Sequence, residues 1–190
     1  MNVLCIQGSP RKKGSTAKVL GWVEDELRSQ GHQARQIHIA DLRLEGCVGC
    51  YQCQADPDEL VCSRRDGGLE IFRRMKEADA VIYATPLYCW GFTSQIKPLI
   101  DRHVCLSTGY GNPSRHRSHF EGKRMALLVT AGGPEGEGNT ELISQVFKRL
   151  ADFIKADVAA ELIVPFLSGP SDLGSEHREK ARAFAGAVIG

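Results

Sequence analysis

The chain alternates between short, nearly continuous apolar runs and longer segments with helical spacing. The apolar runs predict five strands, at residues 3–7, 34–39, 80–85, 124–130 and 158–164. Runs that are apolar on both faces are typical of a parallel sheet covered by helices on both sides. Between them, apolar residues recur at spacings of three and four, which predicts helices. The pattern therefore predicts an α/β fold.

The predicted helices fill the gaps between the strands. The first has Thr16, Leu20, Val23 and Leu27 on one face, and the second is capped by Asp66. The third covers residues 94–103. The fourth is capped by Thr140 and carries Leu142, Val146, Leu150 and Phe153, and the fifth covers residues 175–188. This order predicts a flavodoxin-like three-layer α/β/α sandwich, with a five-stranded parallel sheet in the order 2-1-3-4-5. We expect a single domain over residues 1–190, with a Cys-rich loop at about 45–65.

Composition narrows the functional classes. The 190 residues carry a net charge of +1, which gives no general attraction to nucleic acid or to a membrane surface. The apolar runs are too short to span a bilayer, and the first strand starts too early to leave room for a signal peptide. Seven cysteines without an export signal favour redox or metal chemistry over a disulfide scaffold. We expect a cytoplasmic protein.

The loop after the first strand has the composition of a phosphate site. It combines two glycines, Gly8 and Gly14, with hydroxyls at positions 9, 15 and 16 and positive charges at 11–13, directly before a helix start. Five residues separate the glycines, so the Walker A spacing is absent, and so is the G-x-G-x-x-G dinucleotide pattern. The alternative is an ordinary strand-to-helix turn with a Ser or Thr N-cap.

Two further loops follow strands of the same predicted sheet, at the edge where parallel strands place their ligands. Residues 86–92 are apolar and aromatic, whereas residues 130–134 contain two glycines that allow close backbone approach. A pocket that binds an anion, next to a flat apolar pocket, favours FMN over ATP as the ligand. Core packing is the alternative for the aromatic side chains Tyr88, Trp90 and Phe92.

Three segments resemble the NADPH-dependent FMN reductase family of flavodoxin-like proteins: residues 8–16, residues 84–88 and residues 97–102. The resemblance extends to about Leu150. It implies bound FMN, NAD(P)H as the reductant, and a site made of three groups of residues. The phosphate group is Ser9, Arg11, Gly14, Ser15 and Thr16; the ring is lined by Pro86, Leu87, Tyr88, Cys89, Trp90 and Gly91; and its other side is covered by Thr130, Ala131, Gly132 and Gly133.

Four cysteines, Cys47, Cys50, Cys53 and Cys62, have the spacing C-x2-C-x2-C-x8-C. Such a set can bind a [4Fe-4S] cluster or zinc, or it can remain as free thiols. The motif resembles that of the iron–sulfur flavoprotein branch of the same family, although its last gap is longer. We expect Cys5 and Cys89 to be packing or pocket residues, whereas Cys105 lies just past a predicted helix end and has no evident partner in the sequence.

The resemblance implies an FMN-dependent NAD(P)H oxidoreductase that passes hydride through FMN to a flavin, a quinone or a similar small acceptor. No catalytic side chain is assigned, because the cofactor carries the chemistry. The alternative is an iron–sulfur flavoprotein that transfers electrons between a [4Fe-4S] cluster, FMN and a protein partner. We expect a homodimer or tetramer, with Trp90 and Phe92 as exposed apolar surface, and three solvated histidines, His103, His116 and His119.

Overall fold

The computed structural model describes residues 1–109 and 111–190. In chain order, the elements are β1 (Asn2–Gln7), α1 (Ser15–Ser29), β2 (Gln33–His38), α2 (Gly68–Glu77), β3 (Ala80–Pro86), α3 (Lys97–Asp101), β4 (Ser107–Thr108), β5 (Arg117–Ser118), β6 (Arg124–Thr130), α4 (Glu141–Phe153), β7 (Asp157–Val164) and α5 (Ser175–Ile189). The five long strands form a parallel sheet in the order β2-β1-β3-β6-β7, while β4 and β5 form a small antiparallel pair. This confirms the predicted 2-1-3-4-5 order.

The sheet is covered on both faces, because its central strands are apolar on both. Along β1, Val3 and Cys5 join the core beneath α1 and α5, whereas Leu4 and Ile6 join the core beneath α2, α3 and α4. This alternation follows from the two-residue period of a strand. The five predicted strands are confirmed to within one residue at each end. In the described ranges, no helix combines the length and the apolar character that a bilayer span requires.

Two helices differ from the sequence-based prediction. The segment predicted as a helix over 94–103 is helical only at Lys97–Asp101, and a 3-10 turn follows at His103–Leu106. Pro98 is the reason, because it has no N–H to donate to the carbonyl of Ser94 and is accommodated only in the first turn. In α4, the buried face is Ile143, Phe147 and Ala151, while Leu142 and Val146 of the predicted face are exposed.

His103 is a core residue, so the expectation that it is solvated was wrong. Its side chain is 1% exposed. Its Nδ1 lies 3.0 Å from the carbonyl oxygen of Leu99, so Nδ1 carries the proton, and Nε2 accepts a hydrogen bond of 2.7 Å from the Tyr83 hydroxyl. Burial lowers the pKa of His103 to about 4. His116 is half-buried and lies 2.9 Å from the Ser107 hydroxyl.

The buried neutral His103 makes stability depend on pH. In the unfolded chain histidine titrates near pH 6.5, whereas in the folded chain its pKa is about 4. The unfolded state therefore binds the proton first, and the free energy of unfolding should fall by about 3 kcal/mol as the pH drops through this window. Urea unfolding from pH 7 to pH 4 measures it, with His103→Gln as the comparison. Parallel pH curves for the two proteins would contradict the assignment.

Candidate functional site

Three loops meet at the carboxyl edge of the sheet and enclose a cavity of about 130 Å³. The cavity is lined by eleven of the predicted FMN residues: Ser9, Arg11, Gly14, Ser15, Thr16, Pro86, Leu87, Tyr88, Thr130, Ala131 and Gly132. The remaining four, Cys89, Trp90, Gly91 and Gly133, lie on the same loops but do not line it. The convergence of the loops follows from the parallel register, in which Pro86 pairs with Thr130 and Gln7 with Ala84.

The loop after β1 leaves the start of α1 open. The N-cap residue is Gly14, and no side chain of the described residues caps the first turn. The Ser or Thr N-cap of the alternative prediction is therefore absent, because Gly14 takes that position. Ser9 is used in the loop itself, where its hydroxyl accepts a hydrogen bond of 3.1 Å from the Arg11 N–H. The free N–H groups and the positive end of the helix dipole suit an anion.

Hydrogen bonds fix this loop to the strands on either side. The Gly8 N–H donates to the Ala84 carbonyl at 2.7 Å, and the Thr93 hydroxyl donates to the Gly8 carbonyl at 2.6 Å. Across the cavity, the buried hydroxyls of Thr16 and Thr130 lie 2.7 Å apart. Since each bond joins segments that are distant in sequence, the cavity walls are preorganised rather than free to collapse.

The aromatic loop reverses direction in a tight turn. Tyr88 and Gly91 exchange backbone hydrogen bonds of 3.0 and 3.2 Å, and both central residues are left-handed, with φ 46° at Cys89 and φ 62° at Trp90. Positive φ at two non-glycine residues costs of the order of 1–3 kcal/mol each and marks functional turns. Trp90 is 57% exposed, whereas Phe92 packs against the core, so core packing was right only for Phe92.

The fourth wall of the cavity comes from a loop that the sequence reasoning missed. Leu167 and Ser168 line the cavity from the segment after β7. The Leu167 N–H donates to the Ala131 carbonyl at 2.9 Å, and the Phe166 N–H donates to the Gly133 carbonyl at 3.2 Å. The signal was available, because this loop also follows the carboxyl end of a parallel strand.

A second cavity, of about 190 Å³, brings the cysteines together. It is lined by the four predicted ligands, Cys47, Cys50, Cys53 and Cys62, and by Cys105. The sequence offered Cys105 no evident partner, and the structure places it in the wall of this cavity together with Cys53 and Cys62. A 3-10 turn places Cys105 here, a feature that linear spacing does not reveal. Cys5, by contrast, is a fully buried packing residue.

The five thiols of this cavity differ in exposure and charge. Cys47 and Cys50 are exposed, and a contact of 3.1 Å with the Ser63 hydroxyl lowers the pKa of Cys50. Cys53 is 7% exposed. Burial, together with the neighbouring thiols, raises the pKa of Cys105. As they stand in the described residues, no three His, Cys, Asp or Glu side chains converge closely enough to hold a single metal ion.

A buried ion pair closes the inner wall of this cysteine cavity. Arg102 is 0% exposed, and its Nη1 donates to both Asp66 carboxylate oxygens at 2.7 and 2.8 Å. The same carboxylate accepts the N–H groups of Glu45 at 2.7 Å and Gly68 at 2.9 Å. The N-cap of α2 is Gly67 rather than the predicted Asp66, which lies one residue earlier and accepts the N–H of the first helical residue. Asp66 thus ties the cysteine loop to α2 and to the end of α3.

Comparisons with known proteins place this arrangement among flavoproteins. A model of the NADPH-dependent FMN reductase family matches residues 1–164. An iron–sulfur flavoprotein of Archaeoglobus fulgidus is 32% identical over 183 residues, covering 95% of this chain and 76% of that protein. A second iron–sulfur flavoprotein of that organism is 36% identical over 132 residues, which cover 70% of this chain and only 60% of its own length.

The fold comparison agrees with the sheet order. The NAD(P)H:quinone oxidoreductase from Methanothermobacter marburgensis matches with a TM-score of 0.70, at 18% identity, and the match covers 100% of this chain and 98% of that one. At this level of identity the likeness concerns the fold.

Proposed function

This chain belongs to the NADPH-dependent FMN reductase family, and from that membership we propose that it passes hydride from NAD(P)H through bound FMN to a flavin, a quinone or a similar small acceptor. One observation carries the proposal: the uncapped start of α1 opens into the same cavity as the aromatic and glycine loops. This combination of an anion site and an apolar surface at one edge of the sheet supports the proposal.

In this proposal the phosphate lies at the start of α1. The N–H groups of the first turn and the hydroxyls of Ser15 and Thr16 would hold it, with Thr16 accepting the hydrogen bond of Thr130, and Arg11 would supply positive charge. Ser9 shapes the loop through its bond with the Arg11 N–H. Bound FMN would supply the hydride chemistry, so the protein needs no acid or base of its own.

The ring lies between the other two loops in this proposal. Pro86, Leu87 and Tyr88 supply one side, with Cys89, Trp90 and Gly91 in the turn at its rim, and residues 130–133 supply the other. Tyr88 and Trp90 are 45% and 57% exposed, which leaves apolar surface on which a nicotinamide or an acceptor can stack. The left-handed turn holds these side chains away from the core.

The phosphate assignment can be tested by comparing FMN with riboflavin, which lacks the phosphate. Arg11→Gln should weaken FMN binding about 10- to 100-fold, the worth of one charged hydrogen bond, and leave riboflavin binding unchanged. Flavin fluorescence titration measures both constants. Lys12→Gln is the matched control, because the Lys12 ammonium is already paired with Asp41. If Arg11→Gln weakened the binding of FMN and of riboflavin equally, Arg11 would not be the phosphate ligand.

The reductase activity predicts that NADH or NADPH bleaches the visible flavin absorption of the purified protein under anaerobic conditions. Adding a quinone should then restore the absorption and give catalytic turnover. Stopped-flow absorbance measures both half-reactions. If dithionite bleaches the flavin but neither nicotinamide does, the hydride-transfer proposal fails and a role as an electron carrier is favoured.

A second candidate function is electron transfer through an iron–sulfur cluster beside FMN. The observation that favours it is the convergence of five cysteines on one cavity, because thiolates are the ligands that such clusters require. The donor set fits a cluster of several irons better than one metal ion, since the thiols line a cavity rather than a point. Cys47, Cys50, Cys53 and Cys62 would hold it, and it would exchange single electrons.

Anaerobic reconstitution with iron and sulfide tests the cluster. We expect about four irons and four sulfides per chain. Cys53→Ser should lose most of this iron, whereas Cys5→Ser should keep it, although both thiols are buried. Metal analysis, with flavin content as the folding check, decides. If the wild-type protein contains no iron after reconstitution, or one zinc per chain, the cluster proposal fails and the reductase proposal remains.

We further propose one flavodoxin-like domain over residues 1–190, acting in the cytoplasm as a homodimer or tetramer. The seven free thiols suit a reducing compartment. Trp90 supports subunit contact through its exposed ring, but Phe92, which packs against the core, does not.

A further inference from the structure

Arg102 is held at the inner wall of the cysteine cavity with two unused donors. Its side chain is fully buried and lines the cavity together with Cys62 and Cys105. Among the described residues, neither Nε nor Nη2 reaches a hydrogen-bond acceptor. Buried donors of a charged group without partners are costly, so their presence points to a ligand that completes the site.

The guanidinium is fixed rather than adaptable. Nη1 alone reaches both oxygens of Asp66, whereas the usual bidentate pair uses two nitrogens of the arginine. A Cβ atom at Gly68 would lie only 2.5 Å from Nη1 and 2.7 Å from Nη2, so the glycine makes room for the group. Asp66 therefore anchors one corner of the fork and leaves Nε and Nη2 without a partner, on a side chain that lines the cavity.

The surroundings identify the chemistry of the missing acceptor. The other polar side chains of the cavity wall are mainly thiols, and those of Cys62 and Cys105 line it together with the guanidinium. Arg64, at the same cavity, differs because its Nε and Nη1 bind the Gly46 carbonyl and the Glu45 carboxylate and its side chain is partly exposed to solvent. Among the described residues that line this cavity, Arg102 alone has buried side-chain donors without a partner.

We propose that Arg102 is a positioning residue for the iron–sulfur cluster of this cavity, in which its Nε–H and Nη2–H groups donate to cluster or ligand sulfur atoms. This inference rests on the second candidate function. A one-electron reduction adds one negative charge to a cluster, and N–H groups that donate to its sulfur atoms stabilise that charge. Because Asp66 neutralises the guanidinium, Arg102 raises the reduction potential of the cluster through these donors rather than through net charge.

The test uses the full chain, reconstituted anaerobically with iron and sulfide. Arg102→Gln combined with Asp66→Asn removes both charges without stranding either one. Arg64→Gln is the matched control, because it removes a guanidinium at the same cavity that is partly exposed and has no buried donor without a partner. The readouts are iron per chain, the midpoint potential and the electron paramagnetic resonance spectrum of the reduced cluster, with FMN content as the folding check.

We expect the double variant to keep its FMN, to have a lower midpoint potential and to show an altered spectrum, while Arg64→Gln stays close to the wild type. If the double variant loses FMN as well, Arg102→Lys replaces it; this change keeps the charge but loses the fork, and it should shift the spectrum. If these variants have the midpoint potential and the spectrum of the wild type, the role of Arg102 is overturned, but the cluster proposal stands. An iron-free wild type would overturn both.

Discussion

Parallel pairing of β1, β3 and β6 is the constraint on which the rest of this structure depends. These strands are buried on both faces, so their register is specified by two cores at once. The pairing Pro86 with Thr130 then brings the aromatic and glycine loops side by side, and Gln7 with Ala84 adds the phosphate loop. A slip of one residue in any of these strands would invert its side chains and separate the walls of the cavity.

One short segment links the sheet to the cysteine cavity. Between residues 102 and 105, successive side chains point to different partners: Arg102 binds Asp66, His103 accepts from Tyr83 of β3, and Cys105 joins the other thiols. The 3-10 geometry after Asp101 makes this division possible, because it turns each side chain through a wide angle relative to the one before it. The cavity is thus built onto the core rather than carried by a free loop.

The strands and the three converging loops could be predicted from sequence, because continuous apolar runs and glycine-rich loops are local signals. His103 and Cys105 could not, since their burial depends on where Pro98 ends one helix and a tighter turn begins. Phe92 was also beyond local reasoning: it follows two exposed aromatic residues, and only the left-handed turn at Cys89 and Trp90 directs it back to the core. The unpartnered donors of Arg102 could not be predicted from sequence, because the hydrogen-bond partners of an arginine depend on the tertiary structure.

The multiple hydrogen bonds of Asp66 have a consequence for maturation. They hold the cysteine loop against α2 and Arg102 through protein contacts alone, so the loop has its shape before any inorganic group arrives. Insertion of a cluster would then require little ordering of the chain, and Cys47 and Cys50 at the open side would be the first thiols that a delivery system meets. A cluster destroyed by oxygen could be rebuilt in place, which would make this a repairable protein rather than one replaced by new synthesis.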